Sequence, residues 1–289
     1  MPLADAAAAR NSNVVAAPMS ELLRPQIMGI LNVTPDSFSD GGKYIDITEA
    51  ISQVEKMLEE GADLIDVGGE STRPGSQPVA AEVQIKRVIP VIKAIRDLNS
   101  AFPISIDTRS SQVAAEAIQA GANIINDVSA GLDDAEMLAV AASCETPIVL
   151  MHMQGDPQTM QDNPYYEDAI AEIKLALQKR IEAAIKAGVK TGNIILDPGI
   201  GFGKRKQDNL SLLAHLDQFV DLGFPVLLGA SRKRFMGNIC NVNEPSELVT
   251  ATAVTTALGV MAGVKIFRVH DIKANRQAAD IAWALKQAQ

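Results

Sequence analysis

Cysteine is nearly absent from this chain: Cys144 and Cys240 are its only two in 289 residues. Neither belongs to a Cys-x-x-Cys pair, so a structural zinc site and a disulfide framework are both disfavoured. A reducing, cytoplasmic location is the corresponding expectation. Histidine is almost as scarce, with three residues. A hydrolase-type transition-metal centre needs several His and carboxylate ligands, which this chain is poorly supplied to provide. No stretch approaches the ~20 continuous apolar residues of a membrane span. A net charge of −9 leaves no broad basic face for nucleic acid, although a few clustered cations could still hold a small anion. The opening "MPLADAAAARNSNVVAAPMSELLRP" is rich in alanine but lacks the apolar core of a signal peptide. Residues 1–25 are expected to form a loose extension, with Met19 an alternative start, and 26–289 a single domain.

Hydrophobic residues, in contrast, make up 47% of the chain, and they are arranged in a repeat. "QIMGILNVTPDSFSDGG" begins as a short apolar run of the kind that suits a strand covered on both faces, then turns abruptly polar. Seven further segments do the same: "ADLIDVGGEST", "PISIDT", "NIINDV", "PIVLMHM", "NIILDPG", "PVLLGASRK" and "KIFRVHD". Stretches with helical periodicity lie between them. In "ITEAISQVEKMLEEG", Ile47, Ile51, Val54 and Leu58 share one face and Gly61 suits the position just past the helix end. "SSQVAAEAIQAG", "AEMLAVAASC", "LSLLAHLDQFVDLG" and "TTALGVMAG" repeat the idea. Eight strand–helix units in about 260 residues predict a closed (β/α)8 TIM barrel. The competing doubly wound open sheet usually carries a glycine-rich fingerprint after its first strand, and none is present.

A barrel places every strand's C-terminal end on one face, where active sites lie. Asn32, Glu70 to Arg73, Asp107, Asn126 with Asp127, His152, Asp197, Ser231 with Lys233, and Arg268 with His270 should therefore ring one mouth. A lone strand-end Asp is as often a helix cap or turn residue. Asp107, Asp197 and Asn126 together could instead accept hydrogen bonds from a flat, nitrogen-rich ring. Lys233, Arg268 and His270 follow strands 7 and 8, where barrels frequently bind phosphate, and Ser231 falls at an expected helix start. Arg268 and His270 alternate, so both can point to one side. "SRKR" alone would read as a solvated surface run, and His215 reads as structural. A Mg2+ ion bridging a substrate phosphate would need only one or two protein oxygens, one of which Asn32 could supply.

These motifs resemble, from Gln26 to about Ala284, those of the dihydropteroate synthase family. "MGILNVTPDSFSDGG" and "DVGGESTRPG" are long, specific signatures, and "SIDT", "NDVS", "MHM", "LDPGIGFGK", "SRK" and "RVHD" follow in order. The resemblance implies a barrel, usually homodimeric, that joins 6-hydroxymethyl-7,8-dihydropterin diphosphate to 4-aminobenzoate, releases pyrophosphate and is inhibited by sulfonamides. It implies pterin binding by Asp107, Asn126, Met151, Asp197, Phe202, Gly229 and Lys233. Thr72, Arg268 and His270 would take the diphosphate, with Asn32 holding Mg2+ as well. Asp36, Phe38, Thr72, Arg73, Pro74, Ser231 and Lys233 would shape the aminobenzoate site. The implied mechanism is dissociative: the diphosphate leaves first, and Asp36 faces the resulting cation. "NEPSELVTATAV", with Glu247, departs from the family pattern, in a helical region away from the strand ends. A folate-dependent methyltransferase and a catalytically silent barrel are the alternatives. The methyltransferase has no need for diphosphate cations beside "SRK" and "RVH" and would act with a corrinoid partner. A silent barrel would be suggested by loss of Asp107, Lys233 or the first loop, all of which are present.

Overall fold

The computed structural model describes residues 24–34, 47–71 and 75–289. Eight parallel strands alternate with helices. The strands are β1 (Gln26–Asn32), β2 (Leu64–Gly68), β3 (Ile104–Asp107), β4 (Ile124–Asp127), β5 (Ile148–Met151), β6 (Ile194–Asp197), β7 (Leu227–Leu228) and β8 (Ile266–Val269). The helices are α1 (Ile47–Glu59), α2 (Ala81–Leu98), α3 (Ser111–Ala120), α4 (Met137–Ser143), α5 (Ala169–Lys186), α6 (Lys206–Ala214), α7 (Asp217–Val220), α8 (Arg234–Cys240), α9 (Val249–Ala262) and α10 (Ile272–Gln287). The strands run in the order β6-β5-β4-β3-β2-β1-β8-β7. A parallel bridge between Leu196 and Val226 joins the two ends, with Leu196 N–H donating to Pro225 O at 2.9 Å. The (β/α)8 barrel is closed.

Side-chain alternation along the strands separates two cores. Outward residues such as Ile27, Leu31, Ile65, Val67, Ile104, Ile106 and Phe267 pack under the helices. Inward residues Met28, Leu64, Ile124, Val149, Ile195, Leu227 and Ile266 form a smaller, separate plug inside the barrel. Two residues further along the same inward rows, toward the strand ends, stand Asp66, Asn126, Met151, Asp197, Gly229 and Arg268. The plug is therefore apolar at its base and polar at its mouth.

Two local expectations are corrected. In α1 the buried residues are Ala50, Val54 and Met57, while Ile47 is exposed. The cause is close packing: a Cβ at Gly29 would lie 2.9 Å from Met57 Sδ, so the helix seats methionine against a bare stretch of β1. The stretch "LSLLAHLDQFVDLG" breaks into α6 and α7 at His215. There the ring Nδ1 lies 2.9 Å from Ser211 O, the carbonyl that a continuing helix would give to the His215 backbone N–H. That N–H turns to Leu212 O instead. His215 is structural. Gly61 does end α1 as expected, at φ +96° and with its N–H on Leu58 O. Among the described residues, no helix is long and apolar enough to cross a membrane.

Candidate active site

At the centre of the mouth one cation serves two carboxylates. Arg268 reaches inward from β8, its Nε 2.6 Å from Asp66 Oδ2 and its Nη2 2.6 Å from Asp107 Oδ2. Asn126 Nδ2 donates to the same Asp66 oxygen at 3.0 Å. Asp66 and Asp107 are buried. Burial works against the Arg268 charge, but Asp66 and Asp107 more than offset it and raise its pKa, so the guanidinium stays charged. Burial pushes the Asp107 carboxyl up, partly opposed by Arg268 and reinforced by Asp66, Glu70 and Asp127. Asp66 Oδ1, Asp107 Oδ1 and Ser105 Oγ have no hydrogen-bond partner among the described residues. The floor thus offers acceptors to a ligand rich in N–H donors.

A glycine-dense loop after β6 builds the next wall. Gly199, Gly201 and Gly203 have φ of +70°, +81° and +62°. A Cβ at Gly199 would stand 1.9 Å from His152 O, and one at Gly203 2.2 Å from Gln154 O, so only glycine lets this loop lie flush on the loop after β5. Asp197 sits at its root, accepting from Gly199 N–H at 2.7 Å through Oδ1. Burial raises its pKa to about 6 against the pull of that bond and of Lys233, Lys204 and Arg268. Gly229 leaves space beside Asp197, since a Cβ there would stand 3.6 Å from Oδ2. Lys233 Nζ lies 4.1 Å from the centre of the Phe202 ring, a cation–π contact that also holds the ammonium near Asp197. Met151 is buried and paired in register with Asp197. These positions bring the seven residues of the expected pterin set onto one mouth.

Strands 7 and 8 contribute a different corner. Ser231 Oγ lies 2.9 Å from His270 Nδ1 and accepts the His270 backbone N–H at 3.2 Å. The expected helix start at Ser231 is corrected: α8 begins at Arg234, and Arg232 intervenes at φ +56°. That turn lets Arg232 clamp Asp271 through two bonds of 2.9 and 2.6 Å, while its N–H donates to Thr252 Oγ1. The "SRKR" run is thus split between a structural ion pair, a pocket lysine and the exposed Arg234. Arg268 and His270 also diverge, Arg268 turning to the floor and His270 to Ser231. Two more strand-end acids are structural: Glu70 accepts Val79 N–H and pairs with Arg109, and Asp127 caps its own turn through Ser129 and Gly131. Glu247 is exposed in a short turn before α9.

Asn32 ends β1. A Cβ at Gly68 would meet Asn32 Oδ1 at 3.7 Å and Asp107 Oδ2 at 3.7 Å, so glycine keeps these two oxygens open to a shared space. Among the described residues, no group of three or more His, Cys, Asp or Glu is placed to hold a metal ion. The Asn32 amide oxygen is the kind of hard donor a divalent cation shares with waters and phosphate oxygens. Asp36, Phe38, Thr72, Arg73 and Pro74 lie outside the described residues. Asp66 in the site and Lys204 behind its wall are both buried, yet sequence reasoning did not single them out. The signal for Asp66 was its place in "DLIDVG", on the inward row between Leu64 and Gly68.

A polar floor of acceptors, an aromatic and lysine wall, and a Ser231–His270 corner on a barrel mouth define a binder of flat, nitrogen-rich heterocycles. A profile described as "Pterin binding enzyme" matches residues 28–270. The dihydropteroate synthase of Synechocystis is 45% identical over 262 residues, covering 91% of this chain and 90% of its own. Among solved structures, Xanthomonas albilineans dihydropteroate synthase with 4-aminobenzoic acid superposes at a TM-score of 0.86, with 44% identity and 93% and 95% coverage of the two chains. Yersinia pestis dihydropteroate synthase in a sulfonamide drug complex gives 0.87, 42%, 92% and 96%. The chain belongs to the dihydropteroate synthase family, transferases of folate synthesis.

Proposed function

We propose that this mouth condenses 6-hydroxymethyl-7,8-dihydropterin diphosphate with 4-aminobenzoate, giving 7,8-dihydropteroate and pyrophosphate. The observation that carries the reading is the pairing of buried acceptors, Asp107 Oδ1 and the Asp197 carboxylate, with Lys233 stacked over Phe202. The amino-pyrimidinone edge of a pterin presents adjacent N–H groups, which Asp197 accepts in pairs. Asp107 and Asn126 take further ring positions. Phe202 and Met151 cover the ring faces, and Lys233 and Gly229 line the pocket.

The diphosphate extends toward Ser231 and His270, with Arg268 at the boundary between floor and corner. In a dissociative reaction the C–O bond to the diphosphate breaks first, and the electron pair leaves with oxygen. Positive charge then spreads into the pterin ring, where the buried carboxylates of the floor stabilise it electrostatically. The arylamine nitrogen attacks the exocyclic carbon and loses its proton. Mg2+, held by Asn32 and the substrate's own phosphate oxygens, would neutralise charge on the leaving group. Asp36, Phe38, Thr72, Arg73, Pro74, Ser231 and Lys233 form the aminobenzoate and lid set in this proposal, Lys233 serving the pterin side as well. Residues 26–289 form the catalytic domain and 1–25 an extension.

A homodimer is part of the same reading. Val254, Leu258, Ile281 and Leu285 are exposed on α9 and α10, two helices that pack together, and an apolar face of this kind supports self-association. A pyrophosphate-release assay with both substrates, with and without Mg2+, tests the function. Release that requires aminobenzoate is expected. Methyl transfer to or from a folate, with no pyrophosphate released, would overturn it.

A further inference from the structure

Lys204 closes the loop after β6, and its ammonium is buried behind the pocket wall with three acceptors around it. Nζ lies 2.9 Å from Phe202 O, 3.2 Å from His152 O and 3.0 Å from His152 Nδ1. An ammonium has three protons and no lone pair, so these three contacts use its full donor capacity. With Lys204 charged, His152 Nδ1 accepts its third proton, and the ring proton then sits on Nε2. Burial, helped by Lys204, lowers the pKa of His152 to about 3, consistent with a neutral ring. Burial also lowers Lys204 to about 7, countered by Asp197 and Asp208 and aided by Lys233.

The arrangement has a mechanical consequence. Phe202 carries the ring on which Lys233 stacks, and its carbonyl is one of the three groups that Lys204 holds. The other two belong to His152, the residue over which glycine loop 199–203 is folded at contact distance. Lys204 therefore ties the end of β5 to the Phe202–Lys233 wall from behind, and touches neither the floor at Asp107 nor the corner at His270.

We propose that Lys204 is a positioning residue for the heterocycle, setting the Phe202–Lys233 wall through His152 without meeting the substrate itself. This rests on the pocket being a pterin site. Its signature is an unequal split: pterin affinity depends on Lys204 far more than the aminobenzoate side, which meets this wall only through Lys233. Lys204→Met keeps an unbranched side chain one atom shorter and removes the donors. Calorimetric titration with 6-hydroxymethylpterin should show at least tenfold weaker binding. The KM for 4-aminobenzoate should stay within twofold, and the KM for the pterin diphosphate should rise. Should Lys204→Met fail to fold, His152→Phe removes one acceptor, keeps a ring beside Tyr166, and should show the same split at roughly threefold. Unchanged pterin affinity, or equal losses for both substrates, in a folded variant would overturn the inference while leaving the pocket assignment intact. Failure of the unmodified enzyme to bind the pterin would overturn the pocket assignment itself.

Discussion

Replacing Asp197 by asparagine separates what one buried charge does for binding from what it costs the fold. Asp197 is 5% exposed, and burial raises its pKa from 3.8 to about 6. The folded chain therefore holds this proton more tightly than the unfolded chain. The sign follows: stability falls as pH rises from about 4 to about 6, and above that range the full cost of the charge is present. At ~1.4 kcal/mol per tenfold change in acidity, that cost is ~3 kcal/mol. Asparagine retains an oxygen for the Gly199 N–H bond of 2.7 Å but carries no charge. At pH 7.5 the variant should recover part of the cost, with a melting temperature higher by roughly 2–6 °C. Binding should move the other way. The amide turns an N–H donor toward the donors of the pterin edge and forfeits a charge-assisted pair, a loss of ~1.5–3 kcal/mol or roughly 10–150-fold. Scanning and titration calorimetry with a pterin lacking the diphosphate would measure both. Wild-type affinity should strengthen as pH rises through about 6, and that of Asp197→Asn should not. A variant that binds within threefold of wild type at pH 7.5 would refute the reasoning.

Arg268→Ala leaves Asp66 and Asp107 buried without their cation and should cost ~3–5 kcal/mol. The Asp107 pKa is already raised, so thermal melts should show a smaller loss at pH 5 than at pH 8; equal losses would argue against the shared ion pair. His270→Ala removes a group held by Ser231 rather than by the floor. It should raise the KM for the diphosphate substrate about tenfold or more while changing binding of the unphosphorylated pterin less than twofold. If both ligands weakened equally, His270 would be structural. Sulfamethoxazole should inhibit competitively with 4-aminobenzoate, most strongly with pyrophosphate and Mg2+ present, because "DSFSDGG" and "STRPG" carry no insertion that would exclude its extra bulk. Steady-state kinetics at several aminobenzoate concentrations check this, and full activity at drug levels far above the substrate's KM would contradict it.

The repeat of apolar runs ending in polar residues, with no glycine-rich fingerprint after the first, pointed to the barrel from sequence. Strands buried on both faces, alternating with amphipathic helices, have few other ways to cover their surface. Because all parallel strands of a closed barrel end on one face, the repeat also brings Asn32, Asp107, Asn126, Asp197, Lys233 and Arg268 together. Only the tertiary structure decided what each does there. The side chain of Arg268 could have followed His270 to the Ser231 corner, but two buried carboxylates 161 and 202 residues away in sequence hold it on the floor. Glu70 and Asp127 look like site acids in sequence, yet Val79 N–H and the Arg109 guanidinium occupy the first, and Ser129 and Gly131 the second. Ser231 reads as a helix start until the left-handed Arg232 and its clamp on Asp271 move that start to Arg234. Lys204 is one basic residue among many in the sequence and becomes distinctive only when three acceptors from two loops enclose its ammonium. Periodicity is a local property and survives in sequence. Pairing between charges depends on which distant side chains share a dry interior, and that is fixed only when the barrel closes.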